Sequence, residues 1–112
     1  MGVKPALFHP KARITLKRFP EGVRRELGKA IFDLQKGETL TMPLSRPMPS
    51  VAEGVEELRV KDRTGAYRVF YLARLADAIL IFHAFTKKTQ RTPTREIVMG
   101  QKRLEEMTYE ES

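Results

Sequence analysis

The 112 residues carry 21 Lys+Arg against 14 Asp+Glu, a formal net charge of +7, and are 41% hydrophobic. That length suits one domain, 1–112, and the apolar content is too high for disorder. With no cysteine and two histidines, His9 and His83, disulfides, thiolate nucleophiles and cysteine zinc sites are excluded, and neither a metal nor a cofactor is expected.

Pro10 can open a short helix over 10–17, with Ile14 packing and Lys11, Arg13, Lys17 and Arg18 turned outward. A second helix follows over 20–36. Pro20 and Glu21 suit its first turn, Val23, Leu27, Ala30, Ile31 and Leu34 form one apolar face, and Gly37 ends it. Segment 37–54, with Pro43, Pro47 and Pro49, reads as a surface loop. The period then changes to two. Val55–Asp62 alternates as a half-buried strand, with Leu58 and Val60 on one face and Glu57, Arg59 and Lys61 on the polar one. Arg63-Thr64-Gly65 makes a turn, 67–75 a second strand, Ala76-Asp77 another turn, and 78–86 a third strand apolar enough to be central. From Pro93 a long helix presents Ile97, Gly100, Leu104 and Met107 on one face, with Thr92 or Thr94 as N-cap. Residues 4–9 leave room for one more strand ahead of the helices.

Short connections make the three-strand meander antiparallel. The expected fold is therefore α+β: a small antiparallel sheet with two N-terminal helices and a C-terminal helix. The first ten residues hold no signal-length apolar run, and 78–82, the longest strongly apolar stretch, is far short of a membrane span. A cytoplasmic protein with no membrane partner is expected.

The charge is unevenly placed. Residues 1–50 hold ten cations and four carboxylates, 51–95 nine and five, and 96–112 two and five. Within 83–95, Lys87, Lys88, Arg91 and Arg95 meet no carboxylate. No Gly-rich phosphate loop or metal spacing occurs, and Ser45 and Ser50 have no base nearby. What remains is a cationic sheet face. Arg59 and Lys61 project together, Arg68 lies across the turn, Lys87 and Lys88 end the last strand, and Tyr67, Tyr71 and His83 are near. Cations neutralise phosphates while aromatic rings stack bases, the composition a phosphate-rich single strand needs. Each feature also has an ordinary account. Such cations commonly form a solvated face, Tyr67 and Tyr71 share a parity that suits a core, and His83 shares parity with Ile79, Ile81 and Phe85, as a packed histidine would. The residues by themselves support a basic, single-domain, nucleic-acid-binding protein.

Five motifs keep a characteristic order: Phe19-Pro-Glu-Gly-Val-Arg-Arg-Glu-Leu27, Glu57-Leu-Arg-Val-Lys61, Tyr67-Arg-Val-Phe-Tyr71, His83-Ala-Phe-Thr-Lys-Lys88 and Thr92-Pro-Thr-Arg-Glu-Ile97. Together they resemble the phage-derived branch of the RelE/HigB toxins, the toxin halves of type II toxin–antitoxin pairs. The resemblance implies a metal-free, ribosome-dependent mRNA endonuclease whose nucleophile is the ribose 2′-OH, leaving a 2′,3′-cyclic phosphate and a 5′-OH. It places Lys61 as general base, Arg68 on the phosphate and His83 as an acid/base group. Arg59, Lys87, Lys88 and Arg91 fall in RNA-binding positions. RelE has a tyrosine near the start of its C-terminal helix region, and 89–96 here has none, which leaves the proton donor open. The implied partners are mRNA on the ribosome, with ribosomal RNA contacts, and a cognate antitoxin with a helix-turn-helix domain. The same fold also admits a ParE-like gyrase inhibitor and a non-catalytic RNA-binding module.

Overall fold

A computed structural model describes residues 2–109. β1 (Ala6–Phe8) leads into α1 (Pro10–Lys17) and α2 (Glu21–Gln35). A short β2 (Ser45–Pro47) precedes β3 (Val55–Asp62), β4 (Gly65–Leu72) and β5 (Ile79–Lys87), and α3 (Thr94–Tyr109) follows. The sheet order is β1-β5-β4-β3-β2. The antiparallel meander β3-β4-β5 is as expected, but the sheet as a whole is mixed, because β1 pairs with β5 in parallel, Ala6 opposite Ile79. A parallel pair needs a long crossover, and the chain supplies one by building both helices between the two strands.

Segment 37–54 is more than a loop. Within it β2 pairs with β3, placing Ser45 opposite Leu58, Arg46 opposite Glu57 and Pro47 opposite Glu56. Pro47 is tolerated because β2 is an edge strand. Three residues among prolines show no alternation, which is why the sequence reads as irregular there.

Each sheet face has its own core. Val23, Leu27, Ala30, Ile31 and Leu34 of α2 pack with Leu58, Val60, Tyr67, Val69, Tyr71, Ile79 and Ile81. On the other face Val55, Phe70, Leu72, Leu80, Phe82 and Phe85 meet Met48, Val51 and, from α3, Ile97, Leu104 and Met107. Gly100 sits where α3 comes closest, since a Cβ there would stand 2.7 Å from Phe70 Cδ2. At the end of α2, Gly37 takes φ +94°, the left-handed position that favours glycine.

Two local expectations are corrected. Ile14 is 52% exposed, and the residue α1 buries is Ala12. The His9 N–H donates to Ile81 O at 2.9 Å, and His9 Nδ1 accepts the Lys11 N–H at 3.1 Å. These bonds seat the first turn of α1 on β5 with its smallest side chain inward. Nor is Thr92 or Thr94 the N-cap of α3. The Pro93 carbonyl accepts the Glu96 and Ile97 N–H groups, and the Thr92 hydroxyl points to Glu57 instead. Among the described residues no helix is long and apolar enough to cross a membrane.

Candidate functional site

Three register rows set out the site on the sheet face that α3 partly covers. Arg46 lies opposite Glu57, and Glu57 opposite Phe70. Two residues along, Arg59 lies opposite Arg68, and Arg68 opposite Phe85. Two further, Lys61 and Lys87 flank Ala66 from either side. Five cations on four strands thus share one face, because alternate residues of a strand point the same way. Like charges directly opposite on neighbouring strands are destabilising, so the Arg59–Arg68 pair is retained against a cost.

Glu57 is the counter-charge. It is fully buried, with Oε1 accepting the Arg46 Nε–H at 3.2 Å and lying 3.7 Å from Arg68 Nε. Its Oε2 accepts the Thr92 hydroxyl at 3.2 Å. Arg68 is itself buried, and one of its terminal N–H groups reaches the Tyr67 carbonyl at 3.3 Å. Its Nε and that of Arg59 are buried with no hydrogen-bond partner among the described residues. Burial holds the Arg68 guanidinium below the ordinary arginine value, opposed by Glu57 and reinforced by Arg59 and Arg46. Burial, then Arg68, pushes the Lys87 ammonium down as well.

Lys61 is exposed at the outer end of β3, and Lys88 and Arg91 are exposed in the segment leading to α3. The structure brings Arg59, Lys61, Arg68 and Lys87 together in adjacent rows, with Lys88 and Arg91 beyond the strand end. The aromatic half of the expectation is corrected. Tyr67 and Tyr71 belong to the opposite core under α2, where their hydroxyls meet Thr64 Oγ1 and Ser45 Oγ, each at 2.6 Å. Burial pushes the Tyr71 hydroxyl up to about 12, so it keeps its proton at neutral pH. The aromatic rings on the cationic face, Phe70, Phe82 and Phe85, are core residues.

His83 is also placed differently from its apparent parity. An irregularity at Phe70/Tyr71 pairs Phe70 with His83 but Tyr71 with Ile81, leaving Phe82 as the extra residue. Ile79 and Ile81 therefore face α2, while the His83 ring stacks on Phe85 at 5.3 Å on the α3 side. There Nδ1 accepts from Arg103 Nη1 at 2.9 Å. Arginine has only donors, so Nε2 carries the proton and donates it to Glu96 Oε1 at 2.7 Å. Both nitrogens are engaged and the residue is 4% exposed. Burial holds the imidazole below its ordinary value, with Arg103 adding to the effect and Glu96 opposing it. In this arrangement neither nitrogen is open to a substrate.

Arg46 and the burial of Glu57 escape a reading by periodicity. Arg46 lies on a three-residue strand among prolines. Glu57 alternates correctly with Arg59 and Lys61, and alternation does not foresee the Arg46, Arg68 and Thr92 side chains that gather on it. Among the described residues no three His, Cys, Asp or Glu side chains gather as metal ligands.

A five-stranded sheet with two helices on one face, a C-terminal helix on the other and a cationic patch beside it has the α+β architecture of the RelE toxins. The isolated E. coli RelE toxin in its crystal structure superposes with a TM-score of 0.54 at 16% identity, over 82% of this chain and 90% of that one. A double mutant of E. coli RelE in the free state gives 0.51 at 16% identity, over 88% and 96%. The chain belongs to the phage-derived Gp49-like protein family, whose family model matches residues 15–105. Among curated proteins no sequence matches. The resemblance to the phage-derived branch of the RelE/HigB toxins is thus borne out in family and in fold.

Proposed function

We propose that this protein is the toxin of a type II toxin–antitoxin pair and that it cuts mRNA on the ribosome. The observation that carries this reading is the juxtaposition of Arg59, Lys61, Arg68 and Lys87 in adjacent rows of one sheet face, with the buried Nε–H groups of Arg59 and Arg68 lacking an acceptor among the described residues. In the proposed reaction the ribose 2′-oxygen attacks the adjacent phosphorus and the P–O5′ bond breaks. Arg59 and Arg68 hold the phosphoryl oxygens as charge develops. The 2′-proton passes to a neutral lysine amine, and an ammonium returns a proton to O5′. Lys61 and Lys87, flanking Ala66, form this pair. Burial, then Arg68, lowers the Lys87 value, the direction that suits a proton acceptor. His83, closed off by Glu96 and Arg103, acts on α3 rather than on RNA. DNA lacks the 2′-OH and is not cut.

The cationic face separates this reading from a ParE-like gyrase inhibitor, whose action needs no such cluster on the sheet. It also makes an acidic segment of a helix-turn-helix antitoxin a suitable cover. Expressed alone in cells, the protein arrests growth and new 5′-OH ends accumulate within translated messages; co-expression of the neighbouring antitoxin gene relieves both. Lys61→Ala combined with Arg68→Ala abolishes the ends and the arrest. Intact messages accompanied by DNA damage would instead establish the gyrase reading. Arrest with neither effect would leave a non-catalytic RNA-binding module.

A further inference from the structure

A carboxylate with no exposed surface stands among four cations. Burying Glu57 is costly and is repaid only by close positive charge and hydrogen bonds, which Arg46, Arg68 and Thr92 supply. The balance is nevertheless one-sided: among the described residues a single carboxylate, Glu57, pairs with this group, against Arg46, Arg59, Arg68 and Lys87. Unpaired buried donors are expensive, and two that lack a partner among the described residues, Arg59 Nε and Arg68 Nε, belong to residues directly opposite each other on β3 and β4. Surplus positive charge and idle donors at one place call for a second anion beside Glu57.

We propose that Glu57 is a positioning residue and Arg46 a further phosphate ligand, the carboxylate holding the Arg46 and Arg68 guanidiniums, and through Thr92 the approach to α3, in the geometry that grips one RNA phosphate. The proposal rests on the ribonuclease reading of the same face. Glu57 engages Arg46 through Nε, which leaves the two terminal NH₂ groups of that fork for phosphate oxygens. The two arginines approach from different depths, the Arg46 side chain 37% exposed and that of Arg68 8%. One can collect a phosphate at the surface while the other receives it below. Glu57 also damps the repulsion that would splay the guanidiniums in the free protein. It touches no substrate and acts through the arginines.

The test follows arginine Nε–H signals by NMR while inorganic phosphate is added, alongside steady-state cleavage of a message in a reconstituted translation system. Phosphate should shift the Arg59 and Arg68 signals saturably. Glu57→Gln keeps the shape and removes the charge, so RNA binding should hold or tighten while kcat falls ~10–100-fold, the scale of a misplaced reacting group. A purely structural Glu57 would lower thermal stability and leave kcat per folded molecule unchanged. Arg46→Ala should raise KM about tenfold, with Arg46→Lys recovering only part, because a point charge lacks the fork. A folded Glu57→Gln protein with wild-type kcat and wild-type phosphate shifts overturns the proposal. If that variant does not fold, Arg46→Ala decides, and wild-type KM and shifts would then be fatal. Wild-type protein that shows the phosphate shifts but cleaves no message removes the ribonuclease reading and leaves the phosphate grip standing. Cleaving wild type matched by both variants does the reverse.

Discussion

Two histidines fasten the last helix to the rest of the molecule. His83 on β5 is bracketed by Glu96 and Arg103. His9, capping α1, gives its Nε2 proton to Glu106 Oε1 at 2.7 Å. The charged and titratable groups facing His83 are Glu96 and Arg103 from α3, with His9 adding at longer range. Burial lowers the His83 value from its ordinary 6.5, so as pH falls below 6.5 the unfolded chain takes up a proton that the folded one refuses. Folding loses stability in that window, and the loss levels off below the folded value. Glu106 is also lowered, first by its hydrogen bond from His9. Its contribution is present above the ordinary carboxyl range and disappears only in stronger acid. Thermal melts between pH 7 and 5 should therefore show Tm falling with pH. His83→Gln should start less stable and show a flatter profile. A wild-type Tm that is level across this range would mean that His83 titrates normally.

Among the elements, α3 shows how a glycine sets the approach of a helix to a sheet. Gly100→Ala would press a methyl to within 2.7 Å of Phe70 Cδ2, and Phe70 is fully buried. Overpacking of roughly 1–3 kcal/mol against ~1 kcal/mol regained in helix propensity leaves a net destabilisation of about 1 kcal/mol. At Gly28 on α2 nothing lies within 4 Å of the added methyl, so Gly28→Ala should stabilise by about 1 kcal/mol. Denaturant midpoints moving in opposite directions for the two variants check the pair. The Gly100 position was legible in the sequence because it falls on a helical stripe with Ile97, Leu104 and Met107. The same periodicity exposes α2 and the meander. It fails where an element is too short to repeat, as in β2. It fails again where one inserted residue, Phe82, exchanges the faces of β5 and carries His83 with it. In α1 the stripe is so weak that Ile14 and Ala12 exchange roles once His9 fixes the helix rotation.

For the molecule as a whole, the net charge of +7 matters less than where it gathers. The sequence allowed Arg59, Lys61, Arg68 and Lys87 to be grouped, because strand parity and the short connections of the meander, a tight turn at 63–64 and six residues at 73–78, bring them together. Glu57 and Arg46 were illegible because their meeting depends on β2 and on Thr92 arriving from distant parts of the chain. The assembled face offers cations to about three successive phosphates: the Arg46–Arg59–Arg68 group, the Lys61–Lys87 row, and Lys88 with Arg91 past the strand end. At ~0.7 logarithmic units per contact on a single strand, affinity for a short RNA should fall roughly twenty-fold between about 50 and 200 mM salt. Combining Lys88→Ala with Arg91→Ala removes the outermost contact and should flatten that slope by about 0.7. Glu57→Gln, which removes no cation, should leave the slope unchanged. Fluorescence anisotropy of a labelled RNA over a salt series measures all three slopes. An unaltered slope in the Lys88/Arg91 double variant would confine RNA contact to the sheet itself.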